Sequence, residues 1–291
     1  MTADKKTEFA SRLRNGDYLT APGVFDLISA RIADRMGFPA LYMTGYGVVA
    51  SSFGLPDAGL ASYTEMVDRV KTIAAGTLTP LIADGDTGYG GLLNVQRTVR
   101  GYEQAGAVAI QLEDQKIPKK CGHTPNRRVI PVDDMVAKIR VAVAARESEN
   151  FLVIARTDAR TQYGLAEAIG RGQAFAKAGA DVVFVEAPES VDEMIEICRE
   201  IDGPLMANMV NGGKTPLLSA EELKDLGYQI VIFPGTAFLA AGSAVQSVYQ
   251  HLKATGSSRG LPTPLYDFEE FNRLMGFEEV WAFEKKWTDP S

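Results

Sequence analysis

Cysteine is scarce in this 291-residue chain, which contains only Cys121 and Cys198. Two thiols exclude a framework of several disulfides and indicate a reducing compartment, so we expect a cytoplasmic protein. Long apolar runs are also missing, since none approaches the roughly 20 residues that span a bilayer. Residues 1–14 are polar and charged, without the apolar stretch of a signal peptide. We therefore expect no membrane association.

Basic patches are missing as well. The formal net charge is −7, and no stripe rich in lysine and arginine occurs along the chain. We expect no nucleic-acid partner, because phosphate binding needs a concentrated positive surface. The chain does contain ample apolar material, 46% of its residues, which is enough for a sizeable core.

Short apolar runs rich in Val, Ile and Leu recur along the chain, each followed by a segment with helical periodicity. Such runs are typical of parallel strands that are buried on both faces. Eight of these units predict an α/β fold, a closed (β/α)₈ TIM-type barrel, with an open doubly wound sheet as the rival. The predicted strands are residues 18–21, 40–44, 80–84, 109–113, 152–157, 181–186, 205–208 and 229–233.

Helices are predicted between the strands. One of them opens with a capping box, in which Ser62 and Glu65 satisfy each other's backbone amides. The phrase Ala-Gly-Ala precedes two strands, at 105–107 and 178–180, where the glycine suits the end of a helix. The predicted helices are residues 25–36, 62–75, 94–105, 132–145, 165–178, 190–201 and 219–226.

The last segment of the chain is unusually aromatic. We predict one barrel domain over residues 1–291, in which residues 265–291 form a C-terminal helical tail. So aromatic a tail is costly to expose, and we expect it to pack on a neighbouring subunit rather than on its own barrel. This packing implies a homo-oligomer. The aromatic residues are Phe268, Phe271, Phe277, Trp281, Phe283 and Trp287.

Candidate functional residues stand where the predicted strands end. In barrels of this kind the chemistry takes place at the carboxyl ends of the strands. Polar residues or glycines occur there from the second strand to the eighth. In chain order they are Tyr42, Thr44, Gly45, Tyr46, Asp84, Asp86, Glu113, Arg156, Glu186, Asn208 and Thr236.

Three of these residues predict a metal site. Asp84, Asp86 and Glu113 would repel one another if they converged without a cation. Oxygen ligands of this type suit Mg²⁺, with Mn²⁺ as an alternative, and Asp57 is a candidate outer ligand. The competing interpretation is that Asp84 and Asp86 cap the next helix or bind loop amides.

Two further features suggest catalysis. Cys121 lies in a polar loop between Lys120 and His123, and cationic neighbours favour a reactive thiolate or acid over an incidental loop cysteine. Arg156 is a suitable fork for a substrate carboxylate, although it could instead form a structural pair with Glu186 or Asp158.

The chain resembles the isocitrate lyase and phosphoenolpyruvate mutase superfamily, and specifically its short-chain lyase branch of 2-methylisocitrate and 2,3-dimethylmalate lyases. The resemblance extends from about Asp17 to the C-terminus. The motifs that carry it are Asp84-Gly-Asp86-Thr-Gly, Glu113-Asp-Gln115, Lys119-Lys-Cys121-Gly-His123, Ala155-Arg156-Thr-Asp158-Ala, Val185-Glu186-Ala and Ala207-Asn208-Met-Val.

The resemblance implies a Mg²⁺-dependent lyase that cleaves the C2–C3 bond of a 2-hydroxy acid. Cys121 is the implied acid, His123 and Glu186 stabilise developing charge, and Tyr42 is a candidate for removing the hydroxyl proton. It also implies a homotetramer, a dimer of dimers, with the last helix swapped between subunits. The implied substrate-binding residues are Thr44, Gly45, Tyr46, Lys119, Gly122, Arg156, Asn208 and Thr236.

Two features of the sequence narrow the choice of substrate within this superfamily. After the seventh strand the chain reads Asn208-Met-Val-Asn-Gly-Gly-Lys-Thr-Pro216, which resembles 2,3-dimethylmalate lyase, the plant petal-death lyase and fungal oxaloacetate hydrolase. Leu239 stands where the 2-methylisocitrate lyases carry an arginine for another carboxylate. We therefore predict a substituted malate as substrate and pyruvate or another 2-oxo acid as product. The alternatives are an oxaloacetate hydrolase, a phosphonate mutase or hydrolase, a Schiff-base aldolase using Lys119 or Lys120, and a non-catalytic barrel.

Overall fold

The computed structural model describes residues 4–122, 124 and 126–288, and these contain a closed barrel of eight strands. Neighbouring strands run parallel, and the last pairs with the first, with Ile230 beside Leu19. The closed order confirms the predicted barrel, and the open doubly wound sheet was wrong. The strands are β1 (Leu19–Val24), β2 (Leu41–Met43), β3 (Leu81–Asp84), β4 (Ala109–Glu113), β5 (Leu152–Thr157), β6 (Val182–Val185), β7 (Leu205–Asn208) and β8 (Ile230–Phe233).

Helices follow the strands around the barrel. The helices of the first part of the chain are α1 (Lys5–Arg14), α2 (Leu27–Arg35), α3 (Gly45–Phe53), α4 (Tyr63–Gly76), α5 (Leu92–Gln104) and α6 (Val132–Ala145). Those of the second part are α7 (Arg160–Tyr163), α8 (Leu165–Lys177), α9 (Val191–Glu200), α10 (Ala220–Leu226), α11 (Thr236–Thr255), α12 (Phe268–Met275) and α13 (Phe277–Trp287). Sequence patterns missed α1, α3 and α7.

The predicted helix signals are confirmed in detail. The Ser62 amide donates to Glu65 Oε2 at 2.7 Å, and the Glu65 amide donates to Ser62 Oγ at 3.4 Å, which is the predicted capping box. Gly106 and Gly179 have φ values of 100° and 103° and therefore occupy the left-handed region after α5 and α8. A residue with a side chain rarely adopts this conformation, which explains both Ala-Gly-Ala phrases.

Alternation along the strands creates two hydrophobic cores. One set of strand residues fills the barrel interior, and the residues between them pack under the surrounding helices. Helix α1 belongs to the interior core, where Phe9 and Ala10 are fully buried. The interior strand residues include Leu19, Ile82, Leu152, Ile154, Phe184, Met206, Ile230 and Ile232. The outward ones include Leu81, Ala83, Ile110, Leu112, Val153, Ala155, Val183 and Val231.

The chain divides into two compact units, one up to Phe238 and the other from Leu239 onward. The second unit contains most of α11 together with α12 and α13, which confirms that the C-terminal segment is helical. Many of its aromatic side chains are exposed in the single chain, including Phe268 at 76% and Phe283 at 64%. Across residues 4–122, 124 and 126–288, no helix has the length and apolarity needed to span a membrane.

Candidate active site

The interior alternation continues to the carboxyl ends of the strands, where the side chains become polar. On β4 the interior positions are Ala109, Gln111 and Glu113, and on β5 they include Ile154 and Arg156. The strand-end residues predicted from sequence are buried at this end of the barrel. They include Asp84, Glu113, Arg156 and Glu186, none more than 8% exposed. Burying this many charged groups destabilises the fold, and such clusters are typical of functional sites.

Asp84 is the organising carboxylate. Its Oδ2 accepts the Gly45 amide at 3.3 Å, and its Oδ1 accepts the Asp86 amide at 3.1 Å. The Gln111 side chain approaches Oδ1 at 3.4 Å from β4. Asp86 has a left-handed backbone with φ of 49°, an uncommon conformation that is typical of functional sites. The alternative interpretation, in which Asp84 binds loop amides, is therefore observed, and its role as a metal ligand stays a prediction.

Lys119 lies among the carboxylates. Its ammonium group pairs with Asp57 and, at 2.5 Å, with Asp86 Oδ1. Burial alone would lower the pKa of Lys119, but Asp86 and Asp57 outweigh it and hold the pKa well above its ordinary value. A protonated lysine cannot form a Schiff base, so the pairing disfavours the aldolase alternative at Lys119.

Excess negative charge remains around this pair. Burial raises the pKa of Asp86 to about 7 despite the opposing effect of Lys119. Burial also raises the pKa of Glu113 well above its ordinary range, with Arg156 opposing the shift. Glu113 Oε1 is buried and has no hydrogen-bond partner among the described residues. An oxygen in this position is an available ligand for a hard cation.

The residues suit a Mg²⁺ ion that keeps several of its waters rather than one enclosed by protein ligands. Over residues 4–122, 124 and 126–288, no group of three or more His, Cys, Asp and Glu side chains could together hold a metal ion. This finding argues against a cage of protein ligands. It is compatible with the usual Mg²⁺ mode, in which the ion keeps several waters and binds one or two carboxylates directly.

Arg156 provides the positive side of the site. Its Nη1 lies 3.4 Å from Glu113 Oε2, and its Nε lies 3.7 Å from Glu186 Oε2. Its guanidinium also lies over the Phe184 ring at 5.2 Å. Asn208 donates to both oxygens of Glu186, at 3.3 and 3.2 Å. The structural pairs of Arg156 with the neighbouring acids Asp158 and Glu186 are therefore present, and its role as a fork for a substrate carboxylate stays a prediction.

Helix α3 brings backbone donors to the same place. Thr44 caps this helix by accepting the Gly47 amide at 3.4 Å, and Gly45 and Tyr46 form its first turn. The first amides of a helix carry partial positive charge and bind anions well. The resemblance implied Thr44, Gly45 and Tyr46 as substrate-binding residues. That role stays a prediction, and the start of an unpredicted helix at Gly45 is compatible with it.

The loop after β4 lies over the strand ends. The Cys121 amide donates to the Asp57 carbonyl at 3.2 Å. At Gly122 a Cβ atom would lie 2.3 Å from Arg156 Nη2 and 2.8 Å from Glu186 Oε1. A larger residue would therefore force the loop, Arg156 or Glu186 to move. His123, the other predicted residue of the loop, lies outside the described residues.

These elements line a cavity of about 70 Å³. Thr236 is not among its lining residues. It is exposed, and its hydroxyl donates to Asn211 Oδ1 at 2.9 Å. The lining consists of Tyr42, Thr44, Tyr46, Asp57, Asp84, Glu113, Lys119, Lys120, Cys121, Gly122, Arg156, Asn208, Val210, Ile232, Pro234, Gly235 and Phe238.

Gln111 is the residue that sequence reasoning missed most clearly. The Tyr42 hydroxyl donates to Gln111 Oε1 at 2.7 Å, and burial, followed by the nearby Asp84, raises the Tyr42 pKa well above its usual value. Tyr42 is therefore a neutral phenol here. The available signal was a glutamine in the middle of an apolar strand, two residues before Glu113.

Fold and site together define a (β/α)₈ barrel with a cavity between carboxylates, an arginine and a cysteine-bearing loop. The family model of phosphoenolpyruvate phosphomutase matches residues 9–253. The chain belongs to the phosphoenolpyruvate mutase and isocitrate lyase superfamily.

Similar proteins support this assignment over the whole length. The chain is 46% identical to 2,3-dimethylmalate lyase of Eubacterium barkeri, over 99% of this chain and 98% of that protein. It is 42% identical to 2-methylisocitrate lyase of Aeropyrum pernix, over 93% and 86%. A structure of oxaloacetate acetylhydrolase with 3,3-difluorooxalacetate matches with a TM-score of 0.93 and 34% identity, over 99% and 98%.

Proposed function

We propose that this protein is a carbon–carbon lyase that cleaves a substituted malate into a 2-oxo acid and a carboxylate. The observation that carries the proposal is the joining of Cys121 to Arg156 and the Asp84 cluster around one cavity. The identity of 46% to a 2,3-dimethylmalate lyase supports the same reaction class.

The carboxylate cluster is the proposed Mg²⁺ site, with Mn²⁺ as a substitute. Asp84, Asp86 and Glu113 would hold the ion and its waters, with Asp57 in an outer position. When bound, the ion polarises the hydroxyl and carboxylate oxygens of a 2-hydroxy acid. The partner-free Glu113 Oε1 and the raised pKa values of Asp86 and Glu113 support a cation here.

The residues of the chain supply the remaining roles. Arg156 and the first amides of α3 bind substrate carboxylates. Asn208 holds Glu186 beside Arg156, and the Arg156 guanidinium is the proposed group that stabilises negative charge on the departing fragment. Gly122 allows the loop to approach them.

Bond cleavage needs two proton transfers. A general base accepts the proton of the hydroxyl on C2, the C2–C3 bond breaks, and C2 becomes the carbonyl of the 2-oxo acid. The bonding electrons leave with C3 as an enolate-like carboxylate, which takes a proton from the Cys121 thiol. Tyr42 is a neutral donor to Gln111, so its proposed role is to orient the hydroxyl oxygen rather than to act as a tyrosinate base.

Part of the cavity lining is apolar, which favours a substrate with alkyl substituents. Val210, Ile232, Pro234 and Phe238 form this part without a charged group. By the resemblance, Leu239 stands where the 2-methylisocitrate lyases carry an arginine, and leucine supplies no positive charge. The apolar lining and this leucine support a malate with small apolar groups as the substrate.

A substrate panel with Mg²⁺ tests the proposal. It contains 2,3-dimethylmalate, 2-alkylmalates, 2-methylisocitrate, isocitrate, oxaloacetate and phosphonopyruvate, and 2-oxo acid formation is followed. We expect the substituted malates to react fastest and Cys121→Ser to lower kcat by about 100-fold or more. Reaction with phosphonopyruvate alone, or full activity of Cys121→Ser, would overturn the proposal.

Oxaloacetate hydrolysis is the second candidate, favoured by the close structural match to oxaloacetate acetylhydrolase. The two candidates differ in their products, because hydrolysis of oxaloacetate releases oxalate. Oxalate formation faster than 2-oxo acid formation from any malate would make the hydrolase the better description.

Assembly and location complete the proposal. We propose a homotetramer, a dimer of dimers, with residues 265–291 packing on a neighbouring subunit. The exposed aromatic side chains of this segment support the packing. The low cysteine content supports a cytoplasmic location.

A further inference from the structure

Arg127 is a buried arginine that the reaction scheme does not use. It lies in the segment after the cysteine-bearing loop, and only 1% of its side chain is exposed. Its Nη1 pairs with Asp158 Oδ1, and its Nη2 donates to Thr161 Oγ1 at 2.6 Å. Its Nε donates to the Thr124 carbonyl at 3.2 Å. A buried guanidinium with all three nitrogens engaged is held in one orientation.

Asp158 connects this arginine to the site. Its two oxygens accept Arg156 Nε at 3.0 Å and Arg156 Nη2 at 2.9 Å, so one carboxylate binds both arginines. The Asp158 amide donates to Asp114 Oδ1 at 2.9 Å, and this hydrogen bond fixes the backbone of Asp158. Bidentate pairing of this kind sets the plane of the Arg156 guanidinium.

Thr124 connects the same arginine to the cysteine. Its hydroxyl donates to the Cys121 carbonyl at 2.7 Å, and its amide donates to the same oxygen at 3.0 Å. Hydrogen bonds therefore run without interruption from Cys121 through Thr124, Arg127 and Asp158 to Arg156. The path joins the proposed proton donor to the proposed carboxylate-binding group.

We propose that Arg127 is a positioning residue that docks the Cys121 loop onto Arg156 through Asp158. The position of Cys121 then depends on the position of Arg156, and the reverse also holds. The roles of Cys121 and Arg156 rest on the proposed function, whereas the docking rests on the contacts alone. A lysine at position 127 keeps the charge but cannot reach three acceptors with a planar fork.

The test is Arg127→Lys, read by the alkylation rate of Cys121 with iodoacetamide in the substrate-free protein and by mass spectrometry of the labelled peptide. We expect labelling about tenfold faster than in the unmodified protein, because the loop opens more often. With the substrate that the panel identifies, kcat should fall and KM should rise together, since Cys121 and Arg156 are both displaced.

Arg146→Lys is the matched control. Arg146 pairs with Asp181 Oδ2 at 2.7 Å and donates to the Phe151 carbonyl at 3.1 Å, near the amino ends of β5 and β6. This variant loses an arginine whose Nη1 makes both of these hydrogen bonds, and it should leave Cys121 labelling unchanged. Thr161→Val removes one Arg127 contact with little change of shape, and should accelerate labelling by a smaller factor.

The outcomes separate the two proposals. Labelling of Cys121 within twofold of the unmodified rate in both Arg127→Lys and Thr161→Val would overturn the docking role, as would equal acceleration in Arg146→Lys. If no substrate of the panel is cleaved, only the proposed function is overturned, because Cys121 labelling is measured without substrate. If Arg127→Lys does not fold, Thr161→Val alone decides.

Discussion

Gly122 shows how much a single residue determines at this site. Its backbone lies so close to Arg156 and Glu186 that a methyl group would overlap both. The sequence marks it only as one glycine among 28. Its neighbours become visible only when β5 and β6 are placed beside the loop.

We predict that Gly122→Ala lowers kcat by about 100-fold or more, because the loop must lift away from Arg156 and misplace Cys121. Enzyme kinetics would measure this, and circular dichroism should show an unchanged fold. Gly170→Ala is the control, since Gly170 lies in α8 with open space around its Cα. That change should leave kcat unaltered and stabilise the protein by about 0.5–1 kcal/mol. Equal kcat values for the two variants would contradict the prediction.

Cys198 contrasts with Cys121. Burial raises the pKa of Cys198 to about 11, with a small opposing effect from Tyr228. A raised thiol pKa favours the protonated form, so the thiolate fraction at pH 8 is about one in a thousand.

We therefore predict slow alkylation of Cys198 at pH 8, with a rate that rises about tenfold per pH unit up to about pH 11. Labelling of a Cys121→Ser variant between pH 7.5 and 10.5 would measure it, with circular dichroism at each pH to confirm the native fold. A plateau near pH 9 would show that the thiol has an ordinary pKa.

Helix α1 is the element whose role was least visible in the sequence. Its residues are mostly polar, and only Phe9, Ala10 and Leu13 are buried. These three complete the core inside the barrel, while Lys6 pairs with the buried Glu103 at 2.9 Å. One short apolar stripe is enough when the surface that receives it is already formed by eight strands.

Phe9→Ala should lower the free energy of unfolding by about 3–5 kcal/mol, because it leaves a cavity in the interior core. Urea denaturation would measure the loss. Ser11→Ala, an exposed change in the same helix, should shift the value by less than about 0.5 kcal/mol. A loss below about 1 kcal/mol for Phe9→Ala would show that α1 contributes little to the core.

Helix α3 shows a different limit of sequence patterns. Its first residues, Gly45 to Gly47, contain two glycines, which are poor helix formers, so the segment resembles a loop. Tertiary packing overrides this preference. At Gly47 a Cβ would lie within 3.0 Å of Phe25, Thr44 and Phe238, and at Gly45 it would lie 2.6 Å from Asp84 Oδ2. The glycines are needed for close approach rather than for flexibility.

At the scale of the whole molecule, the exposed aromatic residues of α12 and α13 form the surface on which we propose that another subunit packs. We predict sedimentation as a tetramer, at four times the 31.4 kDa chain mass. Phe283→Asp should shift the protein to smaller species, because a charge cannot be buried unpaired in such an interface. Leu78→Asp, at a site that is 82% exposed in the barrel unit, should leave assembly unchanged. A monomeric unmodified protein would contradict the proposed assembly.

The sequence by itself determined the eight βα units, the helix caps and the polar residues at strand ends, because periodicity and capping act over a few neighbouring residues. It also identified most of the residues around the cavity, since the carboxyl ends of parallel strands must meet when a barrel closes. Only the tertiary structure decided which of them touch. The pairing of Lys119 with Asp57, of Tyr42 with Gln111 and of Arg127 with Asp158 depends on side-chain reach between segments about 30 to 70 residues apart. Patterns among neighbouring residues contain no information about contacts between such distant segments.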